Sequence, residues 1–205
     1  MDVRAYIFAM VVGYLLGSIP FALVIGKVFY KTDIREHGSG NLGATNAGRV
    51  LGKTAGITVT LFDVFKATLA MLFFYLFKQS ETAILLAGLF AAIGHAFPVF
   101  AEFKGGKSVA TWFGFNLGVC SFILMNWWPF VIAVVIFFAV LYLTKYVSAS
   151  SMTATVLGSL VHFFFANGDI MIPLALLIVA LFVVYRHRAN IDRIKNNTES
   201  KIKWM

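Results

Sequence analysis

Charged residues are scarce, at 13% of 205 positions, against 60% apolar, and the mean hydropathy is +0.85. Soluble domains run near half apolar and about a quarter charged. A soluble globule could not hide this much Phe, Leu, Val and Ile, so ordinary soluble, disordered and fibrous classes are excluded. The composition reads as an integral membrane protein of the all-α class. Cysteine is nearly absent: Cys120 stands alone in an apolar stretch, which excludes an intrachain disulfide and argues against a thiol metal site. Acidic residues are also few, 9 against 17 Lys and Arg. In so apolar a chain the net charge of +8 reads as membrane topology and anion handling, not nucleic-acid binding. No linker, low-complexity run or fixed-period repeat interrupts residues 1–205, which are taken as one domain.

What the chain has instead is long apolar runs. A helix needs about 20 apolar residues to cross the ~30 Å hydrocarbon core. Seven segments come close: Tyr6–Phe29, Thr54–Phe77, Thr82–Ala101, Val109–Met125, Pro129–Thr144, Ser151–Ala166 and Met171–Tyr185. Three of the later ones are short, which leaves tilt, local thinning or a partly re-entrant segment open. The first run is too long for a signal-peptide core and carries its positive charge after it, so it is read as a retained span. Connections after spans one, three and five, with the C-terminal tail, carry 13 cations: Lys31, Arg35, Arg49, Lys53, Lys104, Lys107, Lys145, Arg186, Arg188, Arg193, Lys195, Lys201 and Lys203. The opposite face has 2, Arg4 and Lys78. The positive-inside rule then predicts an external N-terminus and a cytoplasmic C-terminus.

Chemistry is expected in the loops. After span one comes His37-Gly-Ser-Gly-Asn-Leu-Gly-Ala-Thr-Asn46-Ala-Gly-Arg49. Glycines let successive backbone N–H groups turn toward one anion. Ser39, Asn41, Thr45 and Asn46 add donors, and Arg49 offers a bidentate fork for phosphate. Taken alone, the loop is more plainly a flexible turn with a solvated arginine. After span three, Gly94-His-Ala-Phe-Pro98 leads into Glu102-Phe-Lys-Gly-Gly-Lys-Ser108. Gly106-Lys107-Ser108 looks like the end of a Walker A motif, but the earlier glycine would fall on Ala101 and no strand precedes it, so an NTP-binding loop is rejected. A glycine turn with two lysines is left as a second phosphate site. At the end of span seven, His187 and Asn190 share a face if the helix continues; His187 could accept a proton or donate to phosphate. Arg186, Arg188 and Arg193 serve equally well as headgroup anchors. Lys145-Tyr-Val-Ser-Ala-Ser-Ser151 is read as a short polar loop on the same face. Independent anchors would not put every such cluster on one side; a composite site for a phosphorylated substrate at the inner leaflet would.

Within the spans, Asp63 and Lys66 are spaced for pairing. Asp63 lies roughly 13 Å and His95 roughly 10 Å from the inner ends of their spans, so the two can meet, and a structural clamp is the preferred reading. His162, near 16 Å on the same arithmetic, is read as a hydrogen-bonded core histidine.

At these residues the sequence resembles the bacterial acyl-phosphate:glycerol-3-phosphate acyltransferases over essentially its whole length. Gly38-Ser-Gly-Asn-Leu-Gly-Ala-Thr-Asn46 through Arg49 resembles the family's first motif. Gly94-His-Ala-Phe-Pro98 through Phe103-Lys-Gly-Gly-Lys107 and Val109-Ala-Thr111 resembles the second. His187-Arg-Ala-Asn190 with Glu199 resembles the third, and Tyr146-Val-Ser148 is similar to a short signature after the fifth span. One departure is Ser108, where the family usually has glycine; its backbone N–H can still donate. The resemblance implies a seven-span bacterial inner-membrane enzyme of phospholipid synthesis with catalytic loops at the cytoplasmic face. It implies acyl transfer from a long-chain acyl phosphate to the 1-hydroxyl of glycerol 3-phosphate, with neither coenzyme A nor acyl carrier protein as donor. His187, Asn190, Lys104 and Ser39 are then the expected catalytic residues. Gly38, Gly40, Asn41, Gly43, Thr45, Asn46, Arg49, Gly105, Gly106, Lys107, Ser108, Ser148 and Arg188 are the expected substrate contacts. No metal, cofactor or nucleic acid is expected; the partners are the two substrates and membrane lipid. Acyl phosphate carries its own good leaving group, so positioning and electrostatics suffice without an enzyme nucleophile. Either His187 or a substrate phosphate oxygen takes the hydroxyl proton. A transporter would place charge and broken helices at the midplane with repeat symmetry, and a haem protein would need histidines at matched depth; both rank behind.

Overall fold

The computed structural model describes residues 3–202; Lys203, one of the thirteen cations, lies outside the described residues. Every regular element among the described residues is helical: α1 (Val3–Gly17), α2 (Phe21–Tyr30), α3 (Ala44–Val50), α4 (Lys53–Leu76), α5 (Glu81–Ala96), α6 (Val109–Phe122), α7 (Trp128–Thr144), α8 (Val147–Phe165), α9 (Met171–Arg186) and α10 (Arg188–Lys195). Each of the seven expected apolar segments coincides with a helix or a broken pair of helices. Val3–Tyr30, Lys53–Leu76, Glu81–Ala101 and Val147–Phe165 are long and apolar enough to cross a membrane, and α9 with α10 qualifies as a pair bent by 53°. At 14 residues, α6 rises only about 21 Å, short of the hydrocarbon core.

Three expectations about these helices change. The first span is not one helix. Pro20 has no N–H for the Leu16 carbonyl, which the Ile19 N–H takes at 3.3 Å instead, and the chain breaks at Ser18–Pro20 before α2 begins. Helix α9 does not run straight through His187 but bends there into α10. The Ser-rich stretch after Lys145 is not a loop: from Val147 it is the first turn of α8. Its hydroxyls satisfy themselves along the helix, Ser150 on the Tyr146 carbonyl (2.8 Å), Ser151 on Val147 (2.7 Å), Thr155 on Ser151 (2.9 Å) and Ser159 on Thr155 (2.7 Å). A polar sequence thereby becomes admissible in an apolar surrounding.

The chain divides into two compact units, Met1–Gly118 and Val119–Met205. In the first, α1 packs on α5 with backbones in contact: a methyl at Gly13 or Gly17 would overlap the Ala87 or Ala91 carbonyl. Where apolar burial gives no drive between helices, such close approach supplies the dispersion contacts that hold them. The loop between α2 and α4 is anchored by Ile34 and Leu42, buried in one cluster with Leu23, Val59 and Ala101. That cluster fixes both ends of the glycine loop and joins it to the connection after α5. In the second unit α8 lies between α7 and α9. Its deep histidine, His162, has Nδ1 2.8 Å from the Gly158 carbonyl and Nε2 3.9 Å from Cys120 Sγ, the environment of a core histidine.

Candidate functional site

The first loop owes its shape to Asn46. Its Oδ1 accepts from the Ser39 N–H (2.9 Å), and its Nδ2 donates to the carbonyls of Ile34 (3.3 Å) and His37 (3.1 Å). Expected as a substrate donor, Asn46 is 2% exposed and spends these groups on the loop itself. Gly38 and Gly40 are both left-handed, with φ of 61° and 67°, and a Cβ at Gly38 would overlap Asn46 Oδ1. Ser39, Thr45 and Arg49 are exposed, while Asn41 and Gly43 are half-buried. Arg49, in the last turn of α3, pairs with no carboxylate among the described residues, so its fork is available to an anion. Upstream, Asp33 receives Arg35 Nη2 at 2.7 Å and Lys27 at 3.1 Å. The Arg35 guanidinium holds the Asp33 carboxyl well below the usual carboxylate range.

The second loop adjoins the first within the same unit. Glu102 bridges them, 3.7 Å from Arg35 Nη1 and 3.6 Å from Lys104 Nζ. Glu102 and Lys104 are exposed, Arg35 is half-buried, and the pairs are weak, so Lys104 can exchange Glu102 for another anion. Gly105 and Gly106, read in the sequence as a turn between two lysines, have a steric cause. Neither has positive φ; instead a Cβ at Gly105 would overlap the His95 carbonyl, and one at Gly106 the His95 ring. Lys107 is half-buried.

Ser108 is left-handed at φ 60°, and its fully buried hydroxyl donates to the Ala92 carbonyl at 2.8 Å. That turns the side chain away from any ligand and leaves the backbone to the role expected of it. A left-handed β-carbon costs about 1–2 kcal/mol, and a hydrogen bond returns about 1 kcal/mol net. Ser108→Ala keeps the strain and loses the bond, so it should lower thermal stability in detergent by about 1–2 kcal/mol. Ser108→Gly relieves the strain and should stay within about 1 kcal/mol of the native chain. Native melting of Ser108→Ala would deny the hydroxyl any part in holding this turn, and equal melting of the two variants would deny the strain.

In the second unit, Glu199 gathers residues that the sequence presents separately. Its Oε1 accepts from Ser148 Oγ (2.8 Å) and Asn190 Nδ2 (2.6 Å), and its Oε2 accepts from Arg193 Nε (2.7 Å). Burial pushes the Glu199 carboxyl up, but the bonds from Asn190, Arg193 and Ser148 outweigh it and hold the group below its ordinary range. The Ile202 N–H donates to the Lys145 carbonyl at 2.9 Å, so the tail folds back along the start of α8. His187 sits at the α9–α10 bend, 4% exposed, with Nδ1 2.8 Å from the Val183 carbonyl. That contact requires a proton on Nδ1 and assigns the lone pair of the neutral ring to Nε2. Arg188 is exposed and stacks over the Tyr185 ring at 4.7 Å, the contact of an interfacial anchor.

Sequence reasoning passed over Glu102 and Arg35, whose partners lie in a different loop, and left Glu199 out of the site. It kept Asp63 and His95 as a clamp, and the structure joins them. Lys66 Nζ stands 2.8 Å from Asp63 Oδ1 and 2.8 Å from His95 Nδ1, and donates to the Ile19 carbonyl at 3.1 Å. His95 Nδ1 is 3.4 Å from Asp63 Oδ1. No three His, Cys, Asp or Glu side chains converge as a metal site among the described residues.

Long apolar helices, breaks at Pro20 and His187, and cationic loops built on glycine define an integral membrane protein equipped to hold anions. The family model described as glycerol-3-phosphate acyltransferase matches residues 7–197, and the chain belongs to that family. It is 50% identical over 194 residues to the glycerol-3-phosphate acyltransferase of Listeria monocytogenes serovar 1/2a, covering 94% of each chain. To that of Bacillus subtilis strain 168 it is 48% identical over 196 residues, covering 96% of this chain and 97% of the relative. Crystal structures of PlsY, an integral membrane glycerol 3-phosphate acyltransferase, share the fold. The glycerol 3-phosphate form superposes with a TM-score of 0.87 at 33% identity, covering 97% of this chain and 96% of the other. The lysophosphatidic acid form gives 0.83 at 32% identity, covering 97% and 95%.

Proposed function

We propose that this chain, acting as one domain of residues 1–205, transfers a long-chain acyl group from acyl phosphate to the 1-hydroxyl of glycerol 3-phosphate. The hydroxyl oxygen attacks the acyl carbonyl carbon, the bond from that carbon to the phosphate oxygen breaks, and phosphate leaves with the electron pair. The products are lysophosphatidic acid and inorganic phosphate. The hydroxyl proton passes to a substrate phosphate oxygen, and the P–OH so formed donates a hydrogen bond to the lone pair on His187 Nε2. Neither coenzyme A nor acyl carrier protein takes part, and no cofactor is required. The protein spans the bacterial inner membrane seven times, with its N-terminus outside and its loops at the cytoplasmic face, as a step of phospholipid synthesis.

The observation that carries this reading is the chain Arg35–Glu102–Lys104, which ties two cationic glycine loops together within one unit. Two anionic substrates brought together repel one another, and adjoining loops with Arg49, Lys104 and Lys107 offset that repulsion. The backbone and hydroxyls from Ser39 to Thr45 serve one phosphate, and Arg49 with the two lysines serves the other.

Purified protein supplied with palmitoyl phosphate should release phosphate only when glycerol 3-phosphate is added, and palmitoyl-CoA should give no turnover. Transfer from palmitoyl-CoA, or release independent of glycerol 3-phosphate, would overturn the assignment of the donor.

A further inference from the structure

We propose that Asp63, Lys66 and His95 are positioning residues that set the height of the second glycine loop, and with it the placement of Lys104 and Lys107. The inference rests on the reading of that loop as a phosphate grip.

Three charged or ionisable side chains at most 6% exposed are an expensive way to join helices that already pack closely. Their arrangement has a direction. Pro20 breaks the first span, and Lys66 reaches the Ile19 carbonyl at that break (3.1 Å). The same ammonium is 2.8 Å from Asp63 on its own helix and 2.8 Å from His95 Nδ1 on α5. One edge of the imidazole is therefore fixed from two sides. The opposite edge, carrying Nε2, is where a methyl on Gly106 would stand. The Gly106 N–H donates to the carbonyl of the same histidine at 3.1 Å. His95 is thus the floor on which Gly105 and Gly106 lie, and Lys66 with Asp63 keeps that floor from tilting. The paired glycines flanked by Lys104 and Lys107 follow from this close approach.

The test is a steric cycle. Gly106→Ala drives a methyl into the ring and lifts the loop. It should raise KM for one of the two phosphorylated substrates about tenfold while kcat and KM for the other move less than about threefold. His95→Asn keeps a polar atom near the Nδ1 position for Lys66 but deletes the Nε2 edge. Combining it with Gly106→Ala seats the methyl in the vacated space, so the two penalties should be less than additive by about fivefold or more. Additive penalties, or losses of kcat that track the folded fraction with both KM values unchanged, would overturn the proposal. Asp63→Asn should raise the same KM; a folded variant with native KM values would remove the carboxylate from the device. The native protein is assayed first with palmitoyl phosphate. If it proves inactive, the donor assignment fails, and positioning is judged by hydrogen exchange of the 104–107 amides. Exchange should quicken in Gly106→Ala and return in the double variant, and a further increase there would refute positioning by itself.

Discussion

Replacing His187 with alanine is expected to slow acyl transfer by roughly 10–100-fold, the loss of one hydrogen bond to a charged group at about 1.5–3 kcal/mol. An obligatory base would instead cost about 10²–10⁴-fold. The ring is oriented by its backbone: Nδ1 is committed to the Val183 carbonyl, which leaves the lone pair of the neutral ring on Nε2. The informative measurement is the pH profile of the variant at saturating substrate. A phosphate monoester has its second ionisation near pH ~6, so a substrate phosphate acting as proton acceptor produces a rate that rises with pH through that region, with or without the histidine. The alanine variant should therefore be slow yet keep its acidic limb. A flat profile would make His187 the base. The lost bond to Val183 costs about 1 kcal/mol, too little to unfold α9, and a melting curve in detergent separates that cost from the catalytic one.

The second large effect is expected at Arg49, although Arg49→Lys keeps the charge. An ammonium is a point donor, whereas the guanidinium meets two phosphate oxygens at once. Losing one charge-assisted bond of about 1.5–3 kcal/mol corresponds to roughly 10–100-fold in kcat/KM. Arg49 is exposed on α3 and pairs with no carboxylate among the described residues, so the loss cannot be traced to a broken internal bridge. Lys53→Arg, at the exposed first position of α4, is the control and should be mild. Near-native activity in Arg49→Lys would reduce that arginine to a topological charge.

The helices were legible because apolar length is a local property. Pro129–Thr144 as an expected span differs from α7 by one residue. What escaped reading depends on partners far along the chain. Asn46 has the composition of a substrate donor, and only the fold shows its amide turned onto Ile34 and His37. Ser148 and Asn190 read as separate polar groups until Glu199 brings them to one oxygen. Gly105 and Gly106 have a steric cause that is invisible without His95 beneath them. The break at Ile19-Pro20 was the one signal present in plain sight; the surrounding apolar run masked it, and hydropathy averaging does not register a missing N–H.

The backbone contact of α1 with α5 also has a meaning for synthesis. Gly17 meets Ala91, and Gly94 meets the Tyr14 carbonyl, so α1 emerges from the ribosome well before the surface that completes it. At about 5–20 residues per second, the roughly 77 residues from Gly17 to Gly94 take about 4–15 s to appear. During that interval Gly13 and Gly17 lack the backbone of Ala87 and Ala91 against which they pack in the finished unit. The contact between α1 and α5 therefore closes only once the fifth helix has been delivered.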